Sequence, residues 1–323
     1  MKKNIIFDET KKEYVEDAVK LAMQEYRKEC VKNADLIVKD YCRELEQSIT
    51  WLFAQPYGKV ALEDSKMIGY IAFAGPYDGF FGNVKGVFSP LGGSAFAGER
   101  RGMVATRLFS AIAMDLMNDG ICSVAMSRYA HDEKVDEAFV MNGFGRRCSD
   151  AIRRLGNQMV DCDKERHCDI KELFGEEKQQ IFSLKRHLED HMSSAPIFKL
   201  RTGDDEVTKW LANEEKRVFV ATIGEELAGF MSLEEEAETF VSNDAQMTNI
   251  CGAFVEPKFR GNCVAQELVE YLIDVAMKEK REYLGVDFET LNPTALHFWG
   301  KYFTSYTYSY ARRLDERLVP KKG

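Results

Sequence analysis

The chain has 323 residues, 45% of them apolar and 30% charged, with a formal net charge of −9. The length suits two domains, each with a buried core. An acidic chain lacks the basic face that nucleic-acid phosphates demand, and no apolar run approaches the ~18 residues that span a bilayer, so neither nucleic acid nor membrane is an expected partner. Met1-Lys2-Lys3 leads, after only Asn4–Phe7, into acidic residues and not into an apolar signal core, so a cytoplasmic location is expected. The eight cysteines form no even framework and read as reduced thiols, not as a disulfide scaffold.

In chain order, Asn4–Phe7 reads as a short strand. Lys12–Val31 follows as a helix, with Tyr14, Ala18, Leu21, Ala22 and Tyr26 at helical spacing, and Asp40–Phe53 as a second helix. Lys59–Leu62 and Met67–Phe73 flank the turn Asp64-Ser65 as a hairpin, and Val84–Phe88 is a further strand. The glycine-rich stretch Ser89–Gly98 admits two readings, a flexible loop or a substrate-facing element. Val104–Met117 is an amphipathic helix stopped by Asp119-Gly120. Ile121–Met126 is a buried strand and Lys134–Met141 a short helix, after which Gly143-Phe144-Gly145 opens a last strand. Gly156–Ala195 reads as a charged linker, helical over Ile170–His191.

The order then recurs. Ile197–Leu200 is a strand and Glu206–Asn213 a helix. Arg217–Thr222 and Leu227–Leu233 form a hairpin around Gly224-Glu225. Met247–Val255 is a long strand, Val264–Lys278 a helix, Tyr283–Phe288 a strand, Pro293–Lys301 a helix and Ser305–Tyr310 a closing strand. Residues repeat as well as pattern: Arg100-Arg101-Gly102-Met103-Val104-Ala105 lies 160 positions before Arg260-Gly261-Asn262-Cys263-Val264-Ala265. The expected division is therefore a first domain over 1–155, a linker over 156–195 and a second domain over 196–323.

Val255 to Leu268 reads as strand, glycine-containing loop and helix. Loop amides running into a helix N-terminus make an anion site, because the orphan N–H groups and the positive dipole end point the same way. The loop Arg260–Ala265, with Pro257 before it and Leu268 after it, resembles the motif Arg/Gln-x-x-Gly-x-Gly/Ala of the GNAT superfamily of acyl-CoA-dependent N-acyltransferases. Only Cys263 departs from that pattern. Asn292-Pro293-Thr294-Ala295-Leu296-His297-Phe298-Trp299 resembles the family's later signature Asn-x-x-Ala-x-x-Phe-Tyr, with Trp299 in place of the tyrosine that often serves as general acid.

The resemblance implies an α+β fold of two tandem domains, each a mixed, mostly antiparallel twisted sheet flanked by helices. It implies acetyl-CoA as the acyl donor and an amine, in a small molecule or a peptide, as the acceptor, joined by direct attack in a ternary complex. Ala253, Phe254 and Val255 would splay from the neighbouring strand and pair with the pantetheine arm like an added strand. Arg260, Gly261, Asn262, Cys263, Val264 and Ala265 would cradle the pyrophosphate, with Cys263 tolerated if its φ is negative. Asn292 would hold the pantetheine or acyl end. Base candidates by position near strand ends are Glu256, Asp287 and Glu289; the acid candidates are Tyr302 and Tyr306. Of these, Glu256, Glu289 and Tyr302 are the catalytic set carried forward.

The copy around Arg100 has Met103 where the family has Gly and lacks the downstream Asn. It reads equally as a domain that has lost its cofactor and as a second site. Glu234-Glu235-Glu236 with Glu238 admits an amine pocket or a solvated strand end. Asp161-Cys162-Asp163, His167-Cys168-Asp169, His187 and His191 fit no zinc spacing and read as solvated linker residues. Exposed strand edges leave a homodimer open. The rival from another class is a non-catalytic acyl-CoA-binding or regulatory module.

Overall fold

The computed structural model describes residues 5–156, 160 and 168–320. The chain divides into two compact units, residues 1–149 with 305–323, and residues 150–304.

The first unit opens with β1 (Ile5–Glu9), α1 (Val15–Lys32), α2 (Cys42–Phe53), β2 (Tyr57–Glu63) and β3 (Lys66–Tyr77). It continues with β4 (Lys85–Ser89), β5 (Ser94–Phe96), α3 (Arg101–Asn118), β6 (Ile121–Tyr129), α4 (Glu133–Met141) and β7 (Gly145–Arg154). The second unit holds β8 (Asp169–Leu173), α5 (Phe182–Ser193), α6 (Asp204–Ala212), β9 (Arg217–Ile223), β10 (Glu226–Glu234), β11 (Met247–Val255), α7 (Val264–Lys278), β12 (Tyr283–Glu289) and α8 (Pro293–Tyr302). At the close of the chain stand β13 (Thr304–Ser305) and β14 (Thr307–Arg313).

Two expectations about organisation are corrected. β14 pairs antiparallel with β6, from Thr307↔Tyr129 to Arg313↔Ser123, so the last strand of the chain completes the sheet of the first unit. The stretch expected as a helical linker contributes β8, which pairs with β9 from Asp169↔Thr222 to Leu173↔Val218, and then α5. Ile170 packs half-buried toward the α7 face and Leu173 is buried on the opposite face, two apolar anchors three residues apart that the flanking charges masked. Residues 197–200 are irregular, with Phe198 at φ +54°, and not a strand. Within Ser89–Gly98 the short strand β5 pairs with β3, which makes that stretch part of the sheet.

In the first unit the sheet runs β1-β2-β3-β4-β6-β14-β7, with β5 on β3. Its core packs α3 against β6 through Val104, Leu108, Phe109 and Ile112. In the second unit the order is β7-β12-β11-β10-β9-β8, the residues of β7 from Asp150 onward belonging here. One face is covered by α7, whose Val264, Leu268, Leu272 and Ala276 recur at helical spacing and are at most 1% exposed. Fully burying each leucine contributes about 1.5–3 kcal/mol. The opposite face packs Leu184, Val207 and Leu211 of α5 and α6 against Val218, Val220, Phe230 and Phe254. Among the described residues no helix is long and apolar enough to cross a membrane.

Candidate active site

The site of the second unit is made by two parallel strands that part. β11 and β12 pair from Met247↔Tyr283 to Ile250↔Val286 and no further. β11 continues to Val255 on β10 alone, and its burial changes at the same place: Met247–Ile250 are buried, whereas Cys251, Gly252, Ala253 and Val255 are half-buried. The register on β10 shifts between Ser232↔Gly252 and Leu233↔Ile250, so Cys251 is the extra residue of a β-bulge at the parting point. Glu256 N–H donates to Ala228 O, which fixes the alternation. Phe254 faces β10 with its main chain, while the main-chain groups of Ala253 and Val255 turn into the gap.

The loop that follows turns sharply into the N-terminus of α7. Gly261 has φ +77° and Cys263 φ +63°, so two left-handed residues turn the chain into the first turn of α7. The condition placed on Cys263, a negative φ, is not met: a side chain occupies a position that favours glycine. Cys263 is also disulfide-bonded, which corrects the reading of all eight cysteines as reduced; sequence neighbours say nothing about which thiols meet in space. Cys30, Cys42, Cys122, Cys148, Cys168 and Cys251 are free. Arg260 is exposed, donates Nε–H to Val255 O at 3.0 Å, and lays its guanidinium 5.6 Å from the centroid of the Phe254 ring. Val264 is buried and Ala265 half-buried in the first turn of α7.

Asn292 is the N-cap of α8, its Oδ1 accepting from Ala295 N–H at 3.3 Å. Trp299 is 5% exposed and stacks edge-to-face on Phe298 and Phe303 in the core below β12, so the ring that replaces the family tyrosine is a packing residue. Tyr302 closes the same helix with its ring edge-on to Phe298.

The acidic candidates separate. Glu256 stands past the loop end of β11 and is held by His187 of α5, Nδ1 to Oε1 at 2.6 Å. His187 therefore serves this carboxylate. Asp161–Asp163 and His167 lie outside the described residues, and among the described residues no cluster of metal-ligating side chains occurs. Glu289 sits at the far end of β12, 3.4 Å from Lys199 Nζ. Asp287 is the first residue of β12 beyond the parting point. Its side chain is exposed at the strand surface, with protein close around the carboxyl. Burial and then the nearby Glu238 push its carboxyl up to about 6, with Lys199 opposing. The neighbouring Cys251 thiol is pushed up strongly by burial and by Asp287, which leaves it protonated and unsuited to act as a nucleophile. Glu234 is taken by Lys216 and Glu235 by Arg281, and Glu238 is the member whose charge acts most on Asp287.

A parallel strand pair that parts beyond a bulge, followed by a left-handed turn into a helix, leaves an open gap that ends at a helix N-terminus. Residues 184–303 match the acetyltransferase (GNAT) family. Those residues of the second unit therefore form a GNAT-family domain, and solved structures of similar fold extend over the first unit as well. Among solved structures, a GCN5-related N-acetyltransferase from Sphaerobacter thermophilus superposes with a TM-score of 0.61 at 12% identity, covering 98% of this chain and 96% of that one. A tandem GNAT protein from the clavulanic acid biosynthesis pathway gives 0.50 at 12% identity, covering 99% and 100%. A glucosamine N-acetyltransferase region of a fungal multi-domain GH3 beta-N-acetylglucosaminidase gives 0.56 at 14% identity, over 96% of this chain and 38% of that one. No curated protein matches the chain.

Proposed function

We propose that the second unit transfers an acetyl or other short acyl group from acyl-CoA to an amine by direct attack. The observation that carries this reading is the coincidence of three features at one gap: the parting of β11 from β12, the bulge at Cys251, and Asp287 one residue beyond the last pair. With the pyrophosphate at the loop that leads into the first turn of α7, the pantetheine arm runs inward along Val255 and Ala253, its amides pairing as an added strand would. Four residues of strand span about 13 Å, so the thioester arrives beside Cys251 and Asp287.

There Asp287 takes a proton from the incoming ammonium group, directly or through one water, and the neutral amine attacks the thioester carbonyl. Main-chain N–H groups at the bulge lie where the developing oxyanion needs donors. The C–N bond forms, the C–S bond breaks, and CoA leaves as a thiolate that collects a proton. Asp287 is favoured as base over Glu256, which stands at the pyrophosphate end of the gap, and over Glu289, two residues further along β12. Tyr302 remains the nearest counterpart to an acid by its place on α8. Asn292 reaches the donor only through the part of its amide that the helix cap does not use.

Free-thiol release from acetyl-CoA against a panel of amines tests this. Turnover that disappears in Asp287→Asn while acetyl-CoA still binds supports it. The burial of Trp299 favours the rival reading of a binding module without turnover. Tight acetyl-CoA binding with no thiol release from any amine would establish that rival, and no binding at all would remove both.

A further inference from the structure

The first unit repeats the parting of the strands but not the gap. β4 and β6 pair in parallel up to Ser89↔Met126, and Met126 stands 160 positions before Val286. The next residue of β6 is Ser127, where the second unit has Asp287. Beyond the parting, β5 takes the place of the splayed half of β11, pairing with β3 from Gly69↔Phe96 to Ile71↔Ser94. Ala72 N–H donates to Gly93 O and Ala97 N–H to Ile68 O, both at 2.8 Å, so residues 93, 95 and 97 face β3 while Ser94 and Phe96 face the gap.

Both gap-facing groups are taken. Phe96 N–H donates to Glu25 Oε1 at 2.7 Å, and Arg128 donates to Ser94 O at 3.0 Å and to Ser94 Oγ at 3.1 Å. Arg128 Nη2 closes the pair on Glu25, 3.1 Å from Oε2, and its guanidinium stands 4.8 Å from the Phe96 ring centroid. Arg128 is 3% exposed and Glu25 5%. On the α1 side of the gap Tyr26, Tyr41 and Tyr129 pack together at centroid distances of 5.3 and 6.0 Å and are all buried. At the counterpart of the loop before α7, Arg100 is paired with Glu63, Arg101 with Asp132 and Lys134 with Glu99, so the cations there are already matched by carboxylates.

We infer that the first unit takes no acyl-CoA, because Glu25 and Arg128 fill its gap as a built-in substitute for the donor's amide arm, and that the chain holds one donor. A guanidinium gives the strand carbonyl its donor and a carboxylate gives the strand N–H its acceptor, which are the two functions an amide in a pantetheine arm would perform. A buried pair of this kind strands a charge if either partner is removed, so the gap stays closed in the folded state. This rests on the reading of the second unit as the donor site.

Calorimetric titration of the full chain with acetyl-CoA, paired with hydrogen exchange, tests it. One site per chain is expected, with exchange at Ser94–Phe96 unchanged by saturating acetyl-CoA. Two sites, or slower exchange at Ser94–Phe96 on adding acetyl-CoA, would overturn the inference. No site at all, with Phe96 still slow to exchange, would remove the donor reading of the second unit and leave the closed gap standing. The double variant E25M/R128M keeps the volume without the charges, and its Phe96 amide should exchange about tenfold faster or more. E25Q retains an oxygen acceptor for the Phe96 N–H but strands the Arg128 charge, so its exchange should fall between those of the wild type and the double variant. Equal exchange in the wild type and E25M/R128M would show that the pair does not hold that strand.

Discussion

Ile250 and Val286 are the last partners that β11 and β12 share, and Cys251 and Asp287 stand immediately beyond them. One parting point thus sets a bulged main chain on one side of a gap and a carboxyl with a pKa near 6 on the other. The proposed chemistry depends on that juxtaposition.

Asp287→Asn should lower kcat by roughly 10²–10⁴ and leave the acetyl-CoA Kd unchanged, since a base acts on the acceptor and not on the donor. In the wild type the ionised carboxylate is the working form, so kcat/KM should fall as pH drops through about 6, and the variant should lose that limb. Steady-state profiles from pH 5 to 8 check both statements.

The same group makes a stability statement. Its folded pKa of about 6 lies above the ~3.9 of an unfolded Asp, so the folded state holds the proton longer. Its contribution to stability is full below about 4 and is lost as pH rises through about 6. Denaturant midpoints measured across that window should fall less steeply with pH in Asp287→Asn than in the wild type.

Arg260→Glu should weaken acetyl-CoA binding about tenfold or more by placing an anion beside the loop that receives the pyrophosphate. Arg100→Glu should leave binding nearly intact, because Arg100 is tied to Glu63 in the first unit. Equal losses in the two variants, read by calorimetry, would remove the assignment of the donor to the second unit.

Ala253→Pro removes an N–H that faces the gap, not one that pairs with β10. Donor affinity should fall while stability changes little. Gly229→Ala acts from the other side of β11: an added Cβ would meet Phe254 O at 2.7 Å, a main-chain atom that cannot rotate away. That crowding should cost about 1–3 kcal/mol and shift the strand that lines the gap, so both stability and donor binding should fall. Thermal unfolding alongside titration separates the two cases.

Much of this was legible in residue order. The loop at Arg260–Ala265, the periodicity of α7 and the repeat at Arg100 all appear as local spacing, because a helix face and a tight turn are decided within a few residues. Asn292 was legible as a helix start, and the structure uses it as one. The condition set on Cys263, a negative φ, is not met and its thiol is not free, since neither the demand of a left-handed turn nor a thiol's partner is visible in its neighbours. Asp287 was one of three carboxylates near strand ends, and residue order offered no reason to prefer it.

The sequence by itself determined the α+β class, the recurrence of one element order and a glycine-containing turn into the helix α7. Only the tertiary structure decided which carboxylate stands at the parting point and that β14 completes the first unit's sheet. It also placed Glu25 and Arg128, 103 positions apart, in the gap of the first unit. The physical reason is range: turns, caps and amphipathic faces are short-range, whereas strand partners, desolvation and ion pairs across a gap depend on residues brought together from far along the chain.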